Sequence, residues 1–140
     1  MAIGHVRPAR ARAPIIPGKV LDKVVLDALA IADTPLGAYD IAESLRHGGW
    51  HVAMASLYRS LDRLCAEERI EKVVTIAAFR IKDVRHALLM ICVKCGVTTP
   101  LAVPSCYQTL ENAVGGTGFS IAKLALEAAG LCKTCSERTA

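Results

Sequence analysis

Three stretches in the first half of the chain carry apolar residues at helical spacing. Over residues 19–32, Leu21, Val24, Val25, Ala28 and Leu29 share one side of a 3.6-residue turn, while Asp22, Lys23 and Asp27 take the other. Residues 38–47 repeat the pattern through Ala38, Ile41, Ala42 and Leu45. The turn chemistry of Thr34-Pro35-Leu36-Gly37 precedes this second helix, and Gly48-Gly49 suits its end. From about 53 to 68, Met54, Leu57, Leu61, Leu64 and Cys65 gather on one side. At ~100° per residue the opposite side presents Ala55, Ser56, Arg59 and Arg63, with Tyr58 at the edge between the two faces.

The pattern then changes period. Residues 70–75 and 79–81 are β-rich runs joined by Ile76-Ala77-Ala78, which predicts a hairpin. Three helices followed by a hairpin predict a winged helix-turn-helix. Around 83–85 the character changes again: 88–93 and 97–103 read as strands, Pro104-Ser105 opens a helix through Tyr107, Leu110 and Val114, and 119–126 reads as a final strand after a glycine-rich turn. The expected fold class is α+β. Residues 1–18 form a basic arm, 19–82 a winged-helix DNA-binding domain, and 83–140 a small α/β dimerisation domain.

Composition supports a folded chain and limits its size. Of 140 residues, 53% are hydrophobic and 21% charged, enough apolar surface to offset the entropy of ordering. Two small domains would each own a modest core, so a staple or a partner subunit is expected. No apolar run reaches the ~18 to 20 residues that cross a bilayer, and the N-terminus lacks the apolar stretch of a secretory signal. The expected address is the cytoplasm. The first 17 residues hold Arg7, Arg10 and Arg12 with no acid, and Pro8, Pro14 and Pro17 oppose the amphipathic helix of a transit peptide. Such an arm either tracks DNA or is simply solvated. Residues 1–82 carry 12 Lys/Arg against 9 Asp/Glu and the remainder 5 against 4, so most of the net +4 lies in the half with the helix-turn-helix pattern.

The strongest chemical signal is a pair of CxxC motifs, Cys92-Val93-Lys94-Cys95 and Cys132-Lys133-Thr134-Cys135, with 36 residues between them. Two residues between cysteines let both thiolates of a tight turn face one ion, and two such turns complete the tetrahedral four-sulfur shell of a structural Zn²⁺. One zinc per subunit is expected. Disulfides are the competing reading and an iron–sulfur centre a more remote one; an intracellular address argues against the first. A filled shell leaves no open position for water, so the chain is not expected to be a zinc hydrolase or any other enzyme, and no small-molecule substrate is expected. Cys65 falls on the apolar face of its helix and reads as a small core residue. Cys106 has no motif partner.

The third helix is where nucleic acid would be read. Its apolar stripe fixes it to the first two helices and leaves Ser56, Arg59 and Arg63 facing a major groove. Tyr58 either joins them or completes the core. Lys72, Arg80 and Lys82 along the hairpin suit a wing lying on phosphates, although basic residues on a hairpin are more often merely solvated.

Four strings in this order, Pro35-Leu36-Gly37-Ala38-Tyr39-Asp40-Ile41, Ser56-Leu57-Tyr58-Arg59-Ser60-Leu61, Cys92-Val93-Lys94-Cys95-Gly96 and Gly130-Leu131-Cys132-Lys133-Thr134-Cys135, resemble the ferric uptake regulator family, and most closely its zinc-sensing branch. The resemblance covers about residues 19–135. It implies a homodimer on two-fold-related operator DNA, with Tyr58 and Arg59 touching DNA and the four cysteines holding a structural zinc. It also implies a second, regulatory metal site at the hinge. There the sequence departs from the family: the stretch just before the first CxxC has only His86 where the zinc and iron sensors carry several histidines, Val97-Thr98-Thr99-Pro100 offers no carboxylate, and Lys82 stands where the zinc sensors have a thiolate ligand. Of the hinge residues, Glu71 and Asp83 could ligate, and His86 is the one candidate histidine. Ordinary metal sensing is therefore expected to be lost or rebuilt. The leading function is a DNA-binding transcription regulator, expected to be a repressor; the alternative is a metal-insensitive adaptor that pairs with another regulator.

Overall fold

A computed structural model describes residues 15–138; the basic arm expected at 1–18 lies almost wholly outside them. The element order is α1 (Gly18–Ile31), α2 (Ala38–His47), α3 (Met54–Ala66), β1 (Ile70–Val73), β2 (Ala78–Ile81), β3 (Ala87–Cys92), β4 (Thr98–Ala102), α4 (Pro104–Gly115), β5 (Leu126–Gly130) and α5 (Lys133–Arg138). Among the described residues, no helix is long and apolar enough to cross a membrane.

The three predicted amphipathic helices pack their apolar stripes together. Leu21, Val25 and Leu29 of α1, Ile41 and Leu45 of α2, and Leu57, Leu61 and Leu64 of α3 form one buried cluster, closed below by Ile70 and Phe79 of the hairpin. α2 stops where expected. Gly49 adopts a left-handed φ of 88°, and the N–H groups of Gly48, Gly49 and Trp50 turn back onto the carbonyls of Ser44, Arg46 and Leu45. The hairpin pairs Ile70 with Ile81 and Val73 with Ala78, and the extended chain at Leu36 adds a bridge to Phe79. A single 3-10 turn, Val74–Ile76, and left-handed Ala77 form its tip.

A polar contact also ties α1 to α3. Asp22, expected on the solvated face of α1, is largely covered. It accepts hydrogen bonds from Arg63 (Nη2 at 2.8 Å, Nε at 3.3 Å) and from the buried hydroxyl of Ser60. Ser60 occupies the same stripe as Leu57, Leu61 and Leu64, and Asp22 is what satisfies it. Burial alone would raise the Asp22 pKa, but the hydrogen bonds from Arg63 and Ser60 outweigh it and the pKa is lowered. A carboxylate held below its unfolded value stabilises the fold fully above that value, and the contribution fades as pH falls through the lowered one. Asp22→Asn is therefore expected to lower the urea midpoint at pH 7. Its deficit should shrink as the pH drops below the ordinary 3.8.

The second sheet has the order β4-β3-β5, with β4 antiparallel and β5 parallel to β3. Its buried cluster is small: Ala87, Leu89 and Ile91 of β3 with Val73, which comes from the hairpin. Pro104 opens α4 at a position where its missing N–H costs nothing. No residue of α4 is buried. The final strand differs from expectation, running from Leu126 to Gly130 rather than over 119–126. Parallel pairing sets this register. Cys92 stands opposite Gly130, which brings the second CxxC beside the first. Ala128 and Ala129, weak strand formers, hid the segment from a propensity reading.

Candidate metal centre and nucleic-acid interface

β3 ends in Cys92 and β5 leads directly into Cys132, so the paired strands deliver both CxxC turns to the same end of the sheet. Each turn is tightened in the same way: the N–H of Cys95 points at Cys92 Sγ (3.5 Å) and that of Cys135 at Cys132 Sγ (3.4 Å). Gly96, at φ 79°, reverses the chain after the first turn, and its N–H donates to the Cys92 carbonyl. The four sulfurs lie within 4.8 Å of one another.

The spacing fits a metal. A tetrahedron with Zn–S bonds of ~2.3 Å separates its sulfurs by about 3.8 Å, and Cys95 Sγ lies 3.8 Å from Cys132 Sγ. None of the six cysteines forms a disulfide. Two of the four thiols are pushed in opposite directions. Cys92 is drawn down to about 6, chiefly by the backbone N–H groups of Cys132 and Cys95, while Cys135 is pushed up to about 12, first by its hydrogen bond with Cys132 and then by burial. A dication held by all four resolves that conflict, and Cys92, Cys95, Cys132 and Cys135 could hold a structural zinc.

Among the described residues no other group of three His, Cys, Asp or Glu side chains is close enough to share an ion. His86 is exposed with a left-handed φ of 50°, and its ring stands 5.3 Å from that of Tyr107. Of the hinge carboxylates, Glu71 and Asp83 both face Arg80, and Lys82 reaches Glu68 at 3.5 Å. Cys65 packs against the helical core, and burial raises its pKa, as expected of an unreactive thiol.

On α3 the buried stripe turns a polar face outward. Arg59 is exposed, its Nη2 donating to the half-buried Ser56 hydroxyl at 3.1 Å, and Tyr58 is 44% exposed. Tyr58 thus joins this face rather than the core. Two of the expected DNA-facing arginines are already ion-paired within the chain. Arg63 is tethered by Asp22, and Arg80, its side chain only 14% exposed, is clamped between Glu71 and Asp83. Helical and strand periodicity cannot show a carboxylate arriving from another element. Lys72 is exposed, with its ammonium 5.9 Å from the centre of the Phe79 ring.

Asp22, Ser60 and Glu127 are the polar residues that sequence reasoning missed. Ser60 carried a signal, a hydroxyl set within an apolar stripe, whereas Asp22 and Glu127 carried none.

A three-helix unit with a hairpin wing, followed by a sheet whose end gathers four cysteines that could hold a zinc ion, defines a winged-helix protein with a candidate structural metal centre. Residues 23–129 match the Ferric uptake regulator family, and the chain belongs to that family of transcription regulators. It is similar to the zinc uptake regulation protein of Escherichia coli (strain K12), 24% identical over an alignment of 118 residues, with 81% of this chain and 69% of the relative covered. Among solved structures, a zinc uptake regulator complexed with zinc and DNA shares the fold at TM-score 0.79 and 22% identity, over 85% of this chain and 83% of that one. Holo XcZur matches at TM-score 0.73 and 26% identity, over 84% of each chain.

Proposed function

We propose that this protein binds operator DNA as a homodimer, acts as a repressor, and does so without a regulatory metal at the hinge. The observation that carries the reading is the outward face of α3, where Ser56, Tyr58 and Arg59 project from a helix whose other side buries Leu57, Ser60, Leu61 and Leu64. In this reading Tyr58 and Arg59 reach base edges and Ser56 orients Arg59. Lys72 touches phosphate. Arg63 spends two nitrogens on Asp22 and keeps Nη1 for phosphate, and Arg80 holds the wing together rather than touching DNA. The winged helix spans 19–82 and the zinc-stapled unit 83–140.

Pairing of two copies is supported by the second sheet. β5 is an edge strand, and Met90, Leu101 and Leu110 stand exposed on β3, β4 and α4. An open edge beside apolar side chains is a surface a second copy can cover. Metal-independent binding is supported by the cations that occupy the hinge, where Glu71 and Asp83 both pair with Arg80 and Lys82 reaches Glu68.

Arg59→Ala tests the interface. Loss of one bidentate Arg contact is expected to weaken binding to a retained genomic fragment by roughly 5- to 150-fold, with the thermal midpoint unchanged. Equal affinity in a mobility-shift titration removes Arg59 from the reading face. No specific retention of any fragment by the wild-type protein favours the adaptor reading instead.

A further inference from the structure

The two halves of the chain meet at the tip of the hairpin. Val74 and Thr75 form the turn between β1 and β2, and their N–H groups have no strand partner. Both are satisfied from the other half: the carboxylate of Glu127, on β5, accepts from Val74 N (2.5 Å), Thr75 N (2.9 Å) and Thr75 Oγ1 (2.5 Å). Three donors thus converge on one side chain more than fifty residues further along the chain. Next to this contact Val73 is buried among Ala87, Leu89 and Ile91 of the second sheet. Gly96 of the first zinc turn also lies beside the loop between α1 and α2, where a Cβ would sit 3.7 Å from Thr34.

From this geometry we infer that Glu127 is a positioning residue for DNA binding: it latches the wing onto the zinc-tied sheet and so sets the angle between the reading helix and the dimer. The inference rests on the proposed DNA-binding function and supplies what would take the place of a hinge metal. A dimer reads two half-sites about one helical turn apart, so each α3 must be held at a fixed offset from the two-fold axis. Apolar contact through Val73 alone is non-directional and leaves the angle loose. A carboxylate that accepts from two successive N–H groups and a hydroxyl has a narrow geometry, and hydrogen bonds to a charged acceptor are the stronger kind. The latch is part of the chain, so it closes whether or not metal is supplied. β5 also runs into Cys132, so the same strand that holds the wing is anchored by the zinc centre.

The test compares wild-type zinc-loaded protein with Glu127→Ala, Glu127→Gln and Thr75→Val. Amide hydrogen exchange without DNA reads the latch itself: the segment 73–77 should exchange about tenfold faster or more in Glu127→Ala, with a smaller gain in Glu127→Gln, which keeps one oxygen acceptor. Thr75→Val changes an exposed side chain, disturbs only the hydroxyl contact, and covers the case in which the Glu127 variants do not fold. Affinity for a retained DNA fragment should fall about tenfold in Glu127→Ala, while zinc content and native subunit mass stay at wild-type values. Unchanged exchange at 73–77 in every folded variant overturns the latch. Faster exchange with unaltered DNA affinity overturns its positioning role. If wild-type protein retains no DNA at all, the function reading fails separately, and exchange still decides the latch.

Discussion

Replacing Cys92 with serine is expected to abolish the folded second half. That half has little else to stand on: the apolar residues it buries beside the cysteines are Ala87, Leu89 and Ile91, completed by Val73 from the hairpin. Structural zinc supplies an apparent ~10 to 16 kcal/mol in small zinc-centred peptides at neutral pH, comparable to the whole ~5 to 15 kcal/mol stability of an ordinary domain. Serine offers a poor ligand, and removing one sulfur leaves three thiols crowded without their ion. The expected result is a monomer without zinc that loses the strand signal in circular dichroism and is cleaved readily after residue 83, while the wild-type dimer carries one zinc per subunit. Native mass spectrometry before and after a strong chelator checks this in one series. A variant or a chelated protein that remains dimeric with a cooperative melt refutes the structural role. More than one tightly held zinc per subunit, with DNA affinity rising as the second fills, refutes the claim that the hinge has lost its metal.

Leu57→Ala should cost about 2 to 5 kcal/mol, as large-to-small changes in a packed core do. Leu57 is among the largest fully buried side chains and sits on α3 in contact with the cluster formed by α1 and α2. Only part of the resulting cavity can close, because Ile41, Leu61 and Leu64 are held by their own helices. The denaturant midpoint should fall steeply with little change in slope. Arg59, two residues later on the same helix, is expected to show the opposite pattern, loss of DNA affinity with intact stability. If Leu57→Ala leaves stability unchanged, or if Arg59→Ala unfolds the protein, the assignment of inward and outward faces to α3 is wrong.

The contrast between those two residues shows how far periodicity reaches. Leu57 and Arg59 are separated by ~200° around the helix, so the alternation of apolar and polar residues assigned each to its face. The same reasoning could not show which partners Arg63 and Arg80 would meet. Periodicity marks a side chain as facing outward, and an outward arginine can still meet a carboxylate on a neighbouring element. Asp22 meets Arg63 from α1, forty-one positions away, and Glu71 meets Arg80 across the hairpin register. The final strand, Leu126–Gly130, escapes a propensity reading for a related reason. Its alanines have low strand propensity, and parallel pairing with β3 ordered them.

The amino-acid order by itself determined three helices with their apolar stripes, the hairpin, the two cysteine turns and the family resemblance, because each depends on spacings of only a few residues or on a motif. Tertiary structure alone decided that Asp22 would satisfy Ser60, that Arg80 would be withdrawn into the wing, that β5 would begin at Leu126, and that Glu127 would close on Val74 and Thr75. These are pairings between distant segments. A hydrogen bond needs its partners within about 3 Å, and only the packed arrangement of helices and sheets brings them that close.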